Sequence, residues 1–152
     1  MKLPNALLDR LKAKAPGLFV VNLVTSSKDG KANVLPIPFS DVVGDELVLL
    51  PDLFAQKTRV NLNENRFAAL SFVDDGNPIG YVLEGRADVI QWGHPPKFKL
   101  FGLSAGEVLE RWGDWDEKVE PVVEADESIR PSVFAQRGVI VFKPERITEG
   151  YA

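Results

Sequence analysis

Tight turns set the scale of this chain. Asp29-Gly30, Gly44-Asp45 and Asp75-Gly76 each separate short apolar runs, and a glycine in such a pair supplies the positive φ that hairpin turns need. The runs around them, Leu18–Thr25, Ala32–Ser40, Leu47–Pro51, Phe67–Val73 and Ile79–Gln91, have the length and β-branched content of strands. Strands joined by such turns are antiparallel neighbours. With a last strand at Gly138–Lys143, ended by Pro144, five or six strands and a few helices predict a mainly β fold. Its form is a closed or nearly closed antiparallel barrel, Greek-key-like, with flanking helices.

The strands differ in character. Leu18–Thr25 reads as a buried strand. Ala32–Ser40 carries Pro36 and Pro38, and proline cannot donate to a ladder, so this strand belongs at an edge or a bulge. From Ile79 to Gln91 the pattern alternates: Ile79, Tyr81, Leu83, Ala87 and Val89 share one face, and Glu84, Arg86 and Asp88 the other, as in a half-buried antiparallel strand. Glu84 and Arg86 are expected to pair at the surface. Helical spacing of Leu3, Leu7, Leu8, Leu11 and Ala15 predicts a first helix, stopped by Pro16-Gly17. Further helices are expected at Phe54–Asn63, Lys97–Leu103, Glu107–Trp112 and Asp116–Glu124.

Composition narrows the chemistry. At 152 residues and 45% hydrophobic, the chain suits a single domain over 1–152, with a core that needs no disulfide or metal. It has no cysteine and a single histidine, His94, which excludes zinc fingers, iron–sulfur clusters and thiol nucleophiles. The net charge of −4 argues against a nucleic-acid surface. No stretch approaches the roughly 20 apolar residues of a membrane span, and the N-terminal residues form no signal-peptide core. A cytoplasmic location is therefore expected. Rossmann, Walker A, HExxH and Cys-x-x-Cys motifs are absent.

One stretch points to a ligand. At Leu50-Pro51 a strand ends, and a helix follows with Gln56-Lys57-Thr58-Arg59-Val60-Asn61-Leu62. Unpaired N–H groups and a partial positive charge at a helix start favour anions. Cations there oppose the macrodipole, and a bound anion would relieve that conflict. The alternative is a solvated first turn of a surface helix.

The ordered series Asn33-Val34-Leu35-Pro36-Ile37-Pro38, Leu47-Val48-Leu49-Leu50-Pro51, Gln56-Lys57-Thr58, Phe67–Phe72 and Tyr81-Val82-Leu83-Glu84-Gly85-Arg86 resembles the pyridoxamine 5′-phosphate oxidase-like FMN-binding split-barrel family, best over residues 5–92. The resemblance implies that the backbone of Leu35, Pro36 and Ile37 meets the flavin ring. Leu50 and Pro51 would flank the ring and ribityl chain. Gln56, Lys57 and Thr58 would bind the phosphate, with Asn61 in support. It also implies a homodimer with FMN at the interface, so that a second subunit completes each site; Trp92 is the candidate for that role, or else a hydrophobic anchor.

The expected function is an FMN-dependent oxidoreductase, with substrate and electron donor open. Alternatives are a non-catalytic electron carrier or flavin sensor, or a heme- or F420-binding member of the same barrel. The resemblance does not extend to the oxidase itself, whose longer C-terminus carries Arg and His residues for a substrate phosphate. Instead the chain has an insertion, about 93–137, expected to be helical and acidic. Its residues 107–130 hold nine acidic and three basic side chains, which reads as a solvated face. Trp112 and Trp115 are expected to anchor it by packing, and His94 to sit in a loop.

Overall fold

The computed structural model describes residues 2–12, 21–37, 40–53, 56–74, 77–113 and 136–149. Within them lie helices α1 (Asn5–Lys12), α2 (Gln56–Glu64) and α3 (Ala105–Trp112) and strands β1 (Val21–Ser26), β2 (Ala32–Ile37), β3 (Asp41–Val43), β4 (Leu47–Leu53), β5 (Phe67–Asp74), β6 (Asn77–Gln91) and β7 (Gln136–Glu149). The strands form one antiparallel sheet in the order β2-β1-β5-β6-β7-β4-β3.

That order forces the sheet to curl. β2 and β3 stand at its two ends, yet Ile37 and Asp41 are sequence neighbours within four residues. Four residues span at most about 14 Å, whereas the end strands of a flat seven-stranded sheet would lie about 29 Å apart. The sheet therefore rolls up, and the seam between β2 and β3 is the split in the barrel. Pro36 accordingly lies on an end strand, as its missing N–H requires.

Two apolar clusters use the two faces of the sheet. The interior holds Leu23, Ile37, Leu50, Leu70, Leu83 and Phe142, joined by Leu7 and Leu11 of α1 and Leu62 of α2. The α1 stripe read from sequence is thus buried, and Ser40 Oγ donates to Leu11 O at 2.8 Å to hold the helix end. A second cluster lies outside the barrel, where Leu49, Ile90, Val139 and Val141 meet Leu100, Val108 and Trp112. β4 and β7 are covered on both faces, which explains why Leu47-Val48-Leu49-Leu50 and Val139-Ile140-Val141-Phe142 are unbroken apolar runs.

Several expectations need correction. β1 is not buried throughout: Val21, Leu23 and Thr25 face inward while Asn22, Val24 and Ser26 are half-buried. β-branching marks a strand without saying how many of its faces are covered. Lys97–Leu103 is not a helix. Leu100 and Leu103 exchange backbone hydrogen bonds of 2.7 and 3.1 Å across Phe101-Gly102, both at positive φ. An i, i+3 apolar pair suits a helix face and also the two ends of a tight turn. α3 begins two residues before the expected Glu107, because Ser104 caps it and forms a capping box with Glu107. Trp112 is buried as a packing anchor. The expected helix at Asp116–Glu124 and Trp115 lie outside the described residues, so the helical reading of 93–137 holds only for α3 within the described part. Arg86 pairs with Glu145 at 2.8 Å, and Glu84 with Arg146 at 4.0 Å, rather than with each other. Side chains two apart on a strand share a face, but the register sets these carboxylates and guanidiniums across from β7.

Candidate functional site

α2 starts just beyond the end of β4, and its first turn contains no acidic residue. The helix period sorts its side chains. Thr58, Asn61 and Leu62 are buried, whereas Lys57 is exposed. Thr58 Oγ1 accepts a hydrogen bond of 3.1 Å from Asn33 Nδ2 on β2. One turn further, Asn61 Nδ2 donates to Thr25 Oγ1 on β1, also at 3.1 Å. Polar residues buried in this way require partners, and these two pairs fix the helix against the β1–β2 hairpin.

The Asn33–Thr58 bond places the end strand and the helix start side by side. On that strand Leu35 is half-buried, Pro36 is exposed and Ile37 is buried in the interior. Leu50 and Pro51 are buried in β4, with Leu50 in the interior cluster. Gln56 is the first residue of α2. Among the residues read as a site from sequence whose burial is described, Pro36 and Lys57 are thus the exposed ones on this side, while Thr58 and Asn61 direct their side chains inward as braces. Among the described residues no carboxylate pairs with Lys57.

Arg59 behaves differently from Lys57, although the sequence counts both as charge at a helix start. Its Nε lies 3.1 Å from Asp52 Oδ2, and the Asp52 side chain is fully buried. The two atoms make an ion pair without good hydrogen-bond alignment. This pair bridges the end of β4 to α2 and leaves Lys57 as the cation presented to solvent in that turn. Asp52 and Asn33 are the residues that sequence reasoning missed. Their signals were a carboxylate closing an apolar strand just before a basic helix, and an amide in a strand otherwise apolar.

Trp92 is not grouped with Pro36 or Lys57. It occupies the turn Gln91-Trp92-Gly93-His94 and lines a separate cleft of about 310 Å³ with Arg59, His94 and Arg137. His94 is exposed in that turn, as its loop reading expects. Among the described residues no cluster of His, Asp and Glu is placed to hold a metal, and no helix there is long and apolar enough to cross a membrane.

A rolled antiparallel sheet, split between β2 and β3 and carrying a helix start beside a proline-bearing end strand, is the split-barrel architecture. The sequence model of the pyridoxamine 5′-phosphate oxidase family matches residues 7–149, and the chain belongs to that family. No curated protein matches it. Among solved structures it is similar to an FAD-binding protein from Mesorhizobium loti (14% identity, 98% of this chain and 95% of that one, TM-score 0.58). It is also similar to an F420 reductase (18% identity, 96% and 98%, TM-score 0.55). A third is an FMN-binding protein from Syntrophomonas wolfei subsp. wolfei (15% identity, 97% and 90%, TM-score 0.52). At these identities the likeness shows the fold.

Proposed function

We propose that this chain binds a phosphorylated flavin, FMN, and serves as an oxidoreductase, working as a homodimer with the flavin at the subunit interface. One observation carries the reading: the 3.1 Å bond between Asn33 and Thr58 holds the exposed Pro36 strand against a helix start whose exposed cation, Lys57, has no acidic partner among the described residues. The N–H groups of a helix start, the macrodipole and Lys57 together suit a phosphate dianion. The donor set therefore fits the group.

In this assignment Lys57 and the first-turn N–H groups of Gln56 and Thr58 hold the phosphate. Thr58 and Asn61 keep the helix at its distance from the sheet through their side chains. The backbone of Leu35, Pro36 and Ile37 would meet the ring, and Leu50 and Pro51 at the end of β4 would flank it. When bound, the flavin supplies hydride or electron transfer. The chain's own work is to bind, to orient and to shield. The homodimer is supported by the outward face of β2, β1 and β5, where Val34 is 59% and Phe67 69% exposed beside an apolar cleft of about 290 Å³.

Purified protein titrated in parallel with FMN, FAD and F420 tests the reading. The expected result is a yellow FMN complex absorbing near about 450 nm with quenched flavin fluorescence. No binding of any flavin would overturn it, and tighter binding of FAD or F420 would reassign the cofactor. Oxidation of NADH or NADPH by the FMN complex separates an oxidoreductase from an electron carrier.

A further inference from the structure

The cleft beside Trp92 has a charge and a shape that the flavin reading does not use. Among the described residues its lining is Arg59, Gln91, Trp92, His94 and Arg137, none of them a carboxylate. The nearby carboxylate, Asp52, is fully buried and already paired with Arg59. Asp52 takes the Nε side of that guanidinium, and Arg59 lines the cleft while only 17% of its side chain is exposed. A guanidinium has a second donor edge, its two Nη groups, which matches a carboxylate in a bidentate way. An arginine held by a buried partner loses little freedom on binding, so it is pre-organised for that role.

The cleft also has an aromatic lining residue, Trp92, carried on a well-braced backbone. Trp92 is 41% exposed. Its backbone N–H donates to Arg137 O at 2.8 Å, and His94 N–H donates to Gln91 O at 3.1 Å. Gly93 at φ +78 permits the turn. Beneath it, β6 and β7 approach so closely that a Cβ on Gly138 would meet Ile90 O at 2.0 Å, so this end of the sheet has no slack. Gln91 and His94 add hydrogen-bonding groups at the rim. The volume of about 310 Å³ lies at the lower end of small-molecule pockets, large enough for one ring and too small for a dinucleotide.

We propose that this cleft is a second binding site, for a small planar aromatic carboxylate, with the carboxylate on Arg59 and the ring against Trp92. Benzoate, benzamide and cyclohexanecarboxylate, titrated calorimetrically into wild-type protein with and without FMN, separate its two elements. Benzoate is expected to bind at least tenfold more tightly than neutral benzamide and at least threefold more tightly than non-planar cyclohexanecarboxylate. Trp92→Leu, an exposed position, is expected to weaken benzoate at least fivefold with an unchanged melting temperature. The neutralised pair Asp52→Asn/Arg59→Gln avoids a stranded buried charge and is expected to abolish the preference for benzoate over benzamide. Equal binding of benzoate and benzamide, no binding of benzoate, or indifference to Trp92→Leu overturns the proposal. Loss of benzoate binding once FMN is present also overturns it, by making the cleft part of the flavin pocket. Benzoate binding to a protein that fails to take up FMN would sink the flavin reading and leave this one standing.

Discussion

Asn33 Nδ2 and Thr58 Oγ1, 25 residues apart in sequence, meet at 3.1 Å and join the end strand to the start of α2. This bond links a stability term to a binding term. Thr58→Val keeps the shape but removes the acceptor, leaving a part-buried amide without it. The expected loss is about 0.5–1.5 kcal/mol, read by urea denaturation, together with weaker FMN binding. An unchanged midpoint would show that the contact does not hold the helix.

Lys57 is exposed, so Lys57→Ala should change folding stability by no more than about 0.5 kcal/mol. Its effect belongs to the phosphate. FMN is expected to bind about 1–3 kcal/mol less tightly, as for a charged hydrogen bond, whereas riboflavin, which has no phosphate, binds as before. Equal losses for both flavins would place Lys57 elsewhere than at the phosphate.

The proposed homodimer makes its own prediction. Val34, Val24 and Ala69 stand in one register row across β2, β1 and β5, and Phe67 lies two residues along on the same face. Light scattering should give twice the 16.8 kDa chain mass. Val34→Glu combined with Phe67→Glu should return it to one chain mass without lowering the melting temperature of the monomer. A wild-type protein that elutes at a single chain mass contradicts the shared site.

Gly85 is fixed by β7. A Cβ there would stand 1.9 Å from Lys143 O, and the ladder shifts register at the same point. The obstacle is backbone, which cannot swing away as a flexible side chain would. Gly85→Ala is expected to cost at least about 1–3 kcal/mol, the range for overpacking, checked by chemical denaturation.

Asp88 gives a pH dependence. Burial raises its pKa above the ordinary value of 3.8, and Arg66, 3.5 Å away, only partly offsets this. The folded state therefore holds this proton more firmly than the unfolded state. Its contribution is fully present below the unfolded pKa and is lost as pH rises through the folded pKa. Asp88→Asn should remove that decline, so the variant gains on wild type as pH rises from below the ordinary 3.8 to neutrality. A constant difference between the two across that range would contradict the shift.

Much of the fold is legible in the sequence because its devices are local. Asp29-Gly30 and Gly44-Asp45 contain the positive-φ glycines their turns need, Pro36 marks an end strand, and the leucines of α1 share one face. What escaped was set by tertiary context. Val21 and Val24 have the same strand propensity, and only the layer against each face distinguishes them. Leu100 and Leu103 fit two local structures, and the choice lies with Gly102. At the candidate site the exposed cation was legible in Lys57, but nothing local distinguishes it from Arg59 until β4 brings Asp52 beneath one of them.

The position of β7 bears on how the protein is made. Residues 136–149 form the link between β6 and the β3–β4 pair, so the N-terminal hairpins have no common sheet until this strand inserts between them. While it is being synthesised, the nascent chain carries unpaired edges on both β6 and β4. Closure then depends on contacts between residues about 90 positions apart, such as Leu50 with Ile140, a topology that folds slowly and leaves strand edges exposed in the interval.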